Sequence, residues 1–243
     1  MTAVGLLCPG HPAEDDYPRI ETLLGSDIRI PIVHTDGGAA SGIAALPEKG
    51  AGPRLAAVTE ELRLSGSEAV VWTSMRGSFL RGWEGAREQM RELALAAGIP
   101  ASSTALGFPH AVRALGLGRV SVATAYPADV AERFTSFLRG AGIAVVAVSA
   151  MSAGTADRAA EAGTWGHEEV LRLARDGDHP DAETVLLPDT ALHTASCLPE
   201  LSGVQAEVAG HGAGVRGHRD AHAGRWQMTL VKIVGHRATS RLV

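Results

Sequence analysis

The chain has 243 residues, 45% of them hydrophobic and 20% charged, with a net charge of −5. That suits one or two compact domains with ample core and argues against nucleic acid or a membrane surface as the main partner. No apolar run is long enough to span a bilayer, the acidic N-terminus is no secretory signal, and the two cysteines, Cys8 and Cys197, give neither a disulfide framework nor a zinc spacing, so a cytoplasmic enzyme or binding protein is expected.

Short apolar runs alternate with longer helical patterns from the start of the chain. AVGLLC (3–8) reads as a strand ending in a Pro-Gly turn, and DIRIPIVHT (27–35) as a second strand. PRLAAVTEELRLSG (53–66) reads as a helix with Pro53 at its start and Gly66 past its end. EAVVWTS (68–74) is a buried strand, and FLRGWEGAREQMRELALAAG (79–98) a long amphipathic helix stopped by Gly98. The pattern then repeats. IPASST is a short strand, and ALGFPHAVRALGLG a helix that Pro109 kinks or starts. RVSVATAY, IAVVAVSAMS and ETVLLPD read as strands, with helices over PADVAERFTSFLRGAG and TWGHEEVLRLARDG. Strands separated by helices of this length predict right-handed βαβ crossovers and parallel sheets, that is, an α/β fold.

In open α/β sheets ligands sit at the carboxyl ends of strands. The polar residues there are Cys8, Ser74, Tyr126 and Asp189. Thr73 and Ser74 end one strand and are followed by Arg76, Gly77 and Ser78. The backbone N–H groups of a helix start, with the Arg76 guanidinium, suit a carboxylate. A plain βα turn with Ser78 as the helix cap accounts for the same residues. Asp189, in LLPDTALHT (186–194), raises the parallel question. It can cap a helix starting at Thr190, or act as a general acid/base at the sheet edge. An ordinary aspartic acid, with a pKa near ~4, needs desolvation to hold a proton at neutral pH. Leu186, Leu187 and Pro188 are consistent with desolvation, and His193 would lie one helical turn beyond. Tyr126 can donate its phenol to a ligand oxygen, or simply line a helix start. His11 lies in the acidic loop GHPAEDDYP and can meet a substrate, whereas Glu14, Asp15 and Asp16 read as a solvated run or a helix start. There is no G-x-G-x-x-G, phosphate loop or nucleophile-elbow serine.

The segments EAVVWTSMRGSFLRGWEGA, AVRALGLGRVSVATAYPADV and VLLPDTALHTASCLPEL resemble the aspartate/glutamate racemase superfamily, nearest its arylmalonate decarboxylase and maleate cis-trans isomerase branch. The resemblance runs from Val4 to about Leu201. It implies two Rossmann-like lobes with parallel sheets, related by a pseudo-twofold axis, with a ligand cleft between them. The first lobe would span residues 1–109 and the second 110–203. It implies proton transfer at a carbon next to a carboxylate, with a small carboxylic or dicarboxylic acid as substrate, no metal or other cofactor, and a homodimer as the assembly. Racemases of the superfamily carry one catalytic cysteine on each lobe. At those two places this chain has Ser74 and Asp189. Tyr126 matches the family tyrosine that hydrogen-bonds a substrate carboxylate, and Gly77 and Ser78 match the family, while Met75 and Arg76 replace its Thr-Ser pair. The expected activity is that of a cofactor-independent lyase or isomerase, with Asp189 and Ser74 in the catalytic positions. Tyr126, Arg76, Gly77, Ser78, Thr190, Cys8 and His11 are the expected substrate contacts. The alternative is a non-catalytic carboxylate-binding paralogue that has lost both family cysteines.

From about Val204 the character changes. Residues 211–225 alternate Gly, His, Arg and Ala where the family would show an apolar strand and a helix returning to the first lobe. Metal binding is one reading of such a His-rich stretch, though His211, His218 and His222 match no recognised site. A shifted reading frame is the other. Read one base along, the reverse-translated stretch opens to Val, Leu, Ser, Ala and Thr, and the Met228-Thr229 codons contain a stop. Residues 204–243 are therefore expected to be an atypical tail, part of which completes the first lobe.

Overall fold

The computed structural model describes residues 3–10, 13–24, 27–35, 52–151, 164–198, 200–201 and 233–236. The first sheet holds β1 (Val4–Cys8), β2 (Ile32–His34), β3 (Ala69–Trp72) and β4 (Ala101–Ser103), ordered β2-β1-β3-β4 with every pairing parallel. Helices α1 (Asp16–Leu24), α2 (Gly52–Leu64), α3 (Met75–Phe79) and α4 (Gly82–Ala97) lie between these strands in the chain. Helix α5 (Thr104–Ala114) leads to the second sheet of β5 (Arg119–Pro127), β6 (Ala144–Met151), β7 (Thr184–Leu186) and β8 (Ile233–His236). Its order is β6-β5-β7-β8, with α6 (Ala128–Gly140) after β5 and α7 (His167–Asp176) before β7. The fold is the expected two-lobed α/β arrangement. Both sheets have the same order, so β5 and β7 stand in the second lobe where β1 and β3 stand in the first. The segments that follow β3 and β7 carry Ser74 and Asp189.

Several predicted elements are shorter than their sequence patterns. Only Ile32–His34 of residues 27–35 forms a strand, beside an isolated bridge between Ala3 and Arg29. Pro31 between them has no N–H to give a ladder, and β2 is an edge strand, where proline is tolerated. The long helix expected over 79–98 starts later, at Gly82, and Phe79 ends a separate short helix. Gly82 takes a left-handed φ of 72°, and α3 ends before it. At the far end Gly98, at φ 68°, closes α4 by donating its N–H to the Ala94 carbonyl. Pro109 sits inside α5 rather than at its start. β8 pairs antiparallel with β7. It is the one described stretch of the tail; His211, His218, His222 and the rest of that segment lie outside the described residues, as does His11. Among the described residues no helix is long and apolar enough to cross a membrane.

The lobes share a continuous core. The chain has four phenylalanines. All four, Phe79 of α3, Phe108 of α5 and Phe134 and Phe137 of α6, meet in one buried cluster. Phe134 makes edge contacts with Phe79 at 5.3 Å and with Phe108 at 5.6 Å, and stacks on Phe137 at 6.1 Å. Trp83 of α4 adds an edge contact to Phe137. In a chain with few aromatics, their concentration here fixes α3, which Ser74 caps, against the second lobe. Elsewhere close packing depends on small residues. A Cβ at Gly177, where α7 ends, would overlap Ala123 Cβ of β5 and stand 3.1 Å from Val185 Cγ1 of β7. Its φ of −89° suits any residue, so the constraint is packing alone. Gly177→Ala is expected to destabilise by about 1–3 kcal/mol through overpacking. An unchanged thermal midpoint would show that α7 moves away freely.

Candidate active site

Tyr126, at the end of β5, is where the two lobes meet chemically. Its ring is buried and lies 5.9 Å from that of Phe79, with the Arg76 guanidinium carbon 5.9 Å from its centroid on the α3 side. Burial pushes its phenol well above the usual tyrosine value, the Asp189 carboxylate pushes it further, and Arg76 opposes them. The phenol is therefore neutral at pH 7, an O–H donor flanked by a cation from the first lobe and a carboxylate from the second. Tyr126, Arg76 and Asp189 are predicted residues from separate segments that the fold brings together.

Asp189 is 6% exposed. Its Oδ1 accepts the Ala191 N–H at 2.9 Å, closing an Asx turn. This corrects the expectation of a helix starting at Thr190. Thr190, partly exposed, and Ala191 form a turn, and the next helical geometry is the 3₁₀ turn Ala195–Cys197. Asp189 thus caps a turn rather than a helix. His193 is not stacked above it; its Nδ1 lies 2.9 Å from Asp15 Oδ1. The turn is held from behind as well. Buried Cys197 donates its thiol to the His193 carbonyl, and its Sγ lies 3.3 Å from His167 Nδ1 of α7. Nothing in the spacing of 167 and 197 announced that contact.

On the first lobe, Ser74 rather than Ser78 is the helix cap. Ser74 Oγ accepts the Gly77 N–H at 3.3 Å, which takes up one of the backbone donors expected to hold a substrate. Ser78 is fully buried, and its hydroxyl donates to Gln89 Oε1 of α4 at 3.0 Å. Gln89 in turn donates to the Gly77 carbonyl at 3.1 Å. The Ser78 hydroxyl hydrogen therefore points into the α3–α4 contact. Gly77 is required by packing, because a Cβ there would overlap Trp72 Cη2 and stand 2.8 Å from Ser74 Oγ. Cys8, at the end of β1, is buried beside Thr73 and Tyr17. Burial pushes its thiol up, and hydrogen bonds with Thr73 and Tyr17 only partly offset this, so at pH 7 it is a thiol and not a base.

Asp16 meets one of its two sequence readings, the helix start, and departs from the other. It starts α1 and is 1% exposed, not solvated. Its Oδ2 accepts the backbone N–H groups of Thr194 at 3.0 Å and Ala195 at 3.1 Å, across the lobes. Asp15, Asp16 and His193 offer ligand-type atoms within 4.8 Å of one another. Asp15 lies against His193, and Asp16 takes these N–H groups.

The family described as arylmalonate decarboxylase matches residues 11–241 of the chain. No curated protein sequence matches it. Among solved structures, an arylmalonate decarboxylase superposes with a TM-score of 0.59 at 22% identity, covering 85% of this chain and 83% of its own. A maleate isomerase from Pseudomonas putida gives 0.66 at 16% identity, covering 85% and 84%. A maleate cis-trans isomerase from Nocardia farcinica, bound to Tris, gives 0.68 at 16% identity, covering 86% and 85%. A variant of the Nocardia farcinica enzyme, similar at 0.61 with 16% identity and covering 84% and 93%, carries a covalently bound succinylcysteine intermediate.

Proposed function

The chain belongs to the arylmalonate decarboxylase family, and from that premise we propose that it is a cofactor-independent lyase or isomerase acting on a small carboxylic or dicarboxylic acid. The observation that carries this reading is the grouping of a neutral buried phenol, Tyr126, with Arg76 of one lobe and Asp189 of the other. Decarboxylation uses these groups most directly. Tyr126 and Arg76 hold the retained carboxylate by charge-assisted hydrogen bonds. The bond to the leaving carboxylate breaks, CO₂ departs, and its electron pair passes into an enediolate stabilised by the same donors. Asp189 takes up a proton from water as the anionic acid binds beside it, delivers that proton to the carbon and returns to the carboxylate. Ser74, partly exposed at the equivalent end of the first lobe, borders the opposite face.

A thiol-addition isomerisation, of the kind a succinylcysteine intermediate represents, has less support in this chain. Ser74 and Asp189 carry no sulfur, and the buried Cys8 is a neutral thiol. The same loss of thiols favours a second reading, a carboxylate-binding protein without turnover. A thermal-shift screen of mono- and dicarboxylates, followed by product analysis on each binder, separates the two. Under the first reading at least one binder is converted, and Tyr126→Phe weakens its binding about tenfold, the loss of roughly one good hydrogen bond. Binding without any product favours the second. No binder among either class of acid would remove both.

A further inference from the structure

We propose that Asp16 is a positioning residue for Asp189, tying the turn that carries Asp189 in the second lobe to the first lobe. The inference rests on the reading of the interlobe cleft as the reactive site, and it assigns a function to a residue that resembles nothing catalytic in sequence.

A carboxylate buried to 1% exposure is costly unless its oxygens are bonded. One oxygen of Asp16, Oδ2, takes two backbone donors from 178 and 179 residues away, the N–H groups of Thr194 and Ala195. Those residues belong to one short bonded run with Asp189. Asp189 N–H donates to the Leu187 carbonyl, Asp189 Oδ1 accepts from Ala191, and Thr194 N–H also donates to the Leu192 carbonyl. Leu192, Thr194, Ala195 and Cys197 are all buried, so the run is packed as well as bonded. Its conformation is set locally, but its distance from the first lobe is set by Asp16, which begins α1 just after the β1 end that carries Cys8. The neighbouring Asp15–His193 contact spans the same gap, but with the Asp15 side chain 66% exposed it adds little. A proton donor displaced by about an ångström can cost about a hundredfold in rate, so a fixed interlobe distance matters for Asp189 more than for binding.

The chain has two tyrosines, which makes the test direct. The charges acting on Tyr126 are those of Asp189 and Arg76, whereas Asp16 acts on Tyr17. In full-length protein labelled with ¹³Cζ-tyrosine, Tyr17→Phe assigns the two resonances. Asp189→Asn is expected to shift the Tyr126 line. Asp16→Ala is expected to shift it in the same direction, because Asp189 moves away, while Asp16→Asn, whose carbonyl oxygen still accepts both N–H groups, leaves it near the wild-type position. Should the alanine variant fail to fold, Asp16→Ser, too short to reach both donors, replaces it. On a converted substrate, Asp16→Ala lowers kcat about tenfold or more with KM within about threefold, and Asp16→Asn restores most of the rate. A Tyr126 line that moves in Asp189→Asn but not in Asp16→Ala overturns the inference and leaves the cleft reading standing. A line unmoved in both removes the cleft reading and the inference with it.

Discussion

Replacing Asp189 by asparagine is expected to lower kcat by about 10²–10⁴-fold, the usual contribution of a positioned general acid, while KM stays level or falls. The structure makes this substitution unusually clean. Asp189 closes its Asx turn by accepting the Ala191 N–H, and an asparagine carbonyl oxygen accepts the same bond. The turn therefore survives while the transferable proton is lost. The direction in KM follows from charge. Removing a carboxylate beside Tyr126 removes a repulsion against an anionic ligand, so binding should not weaken. The phenol of Tyr126 should also move back toward its ordinary value, because one of the two influences raising it has gone. Steady-state kinetics on any converted acid gives the answer. Unchanged kcat would reject Asp189 as the proton donor and leave it the cap alone.

The second large effect falls on stability. Phe134→Ala is expected to cost about 3–5 kcal/mol, a large share of the roughly 5–15 kcal/mol that holds a domain folded. Phe134 is fully buried and touches Phe79, Phe108 and Phe137, so no surface residue can relax into the space. The loss should also reach the site. Phe79 is packed between Phe134 and Tyr126, and it ends the short helix that Ser74 caps and that carries Arg76. Denaturant unfolding followed by tryptophan fluorescence measures the first effect, and carboxylate binding by the folded variant the second. A loss below about 1 kcal/mol would mean that the lobes are joined by something other than this cluster.

Much of the architecture was legible because it is local. An apolar run of four to nine residues bounded by glycine or proline announces a strand, and a polar residue at its end announces a sheet edge. Cys8, Ser74, Tyr126 and Asp189 were found by that rule, and each lies at or just beyond a strand end. The family motifs added the pairing of the two lobes. Where the sequence pattern misled, a nonlocal contact had intervened. TALHT has the composition of a helix start, but Asp189 bonds back to Ala191, and Thr194 and Ala195 give their N–H groups to Asp16. Ser78 looked like a cap and a ligand contact until Gln89, eleven residues on, took its hydroxyl hydrogen.

The sequence by itself determined which residues stand at the carboxyl edges of the two sheets, because strand length and hydrophobic period are written within a few neighbouring positions. Only the tertiary structure decided which of them face one another. Tyr126, Arg76 and Asp189 come from segments far apart in the chain, and their grouping depends on how the phenylalanine cluster seats one lobe on the other. The burial of Asp16 was decided there too. A carboxylate in an acidic run reads as solvated unless donors are at hand, and its donors arrive from the other lobe, 178 and 179 residues along the chain.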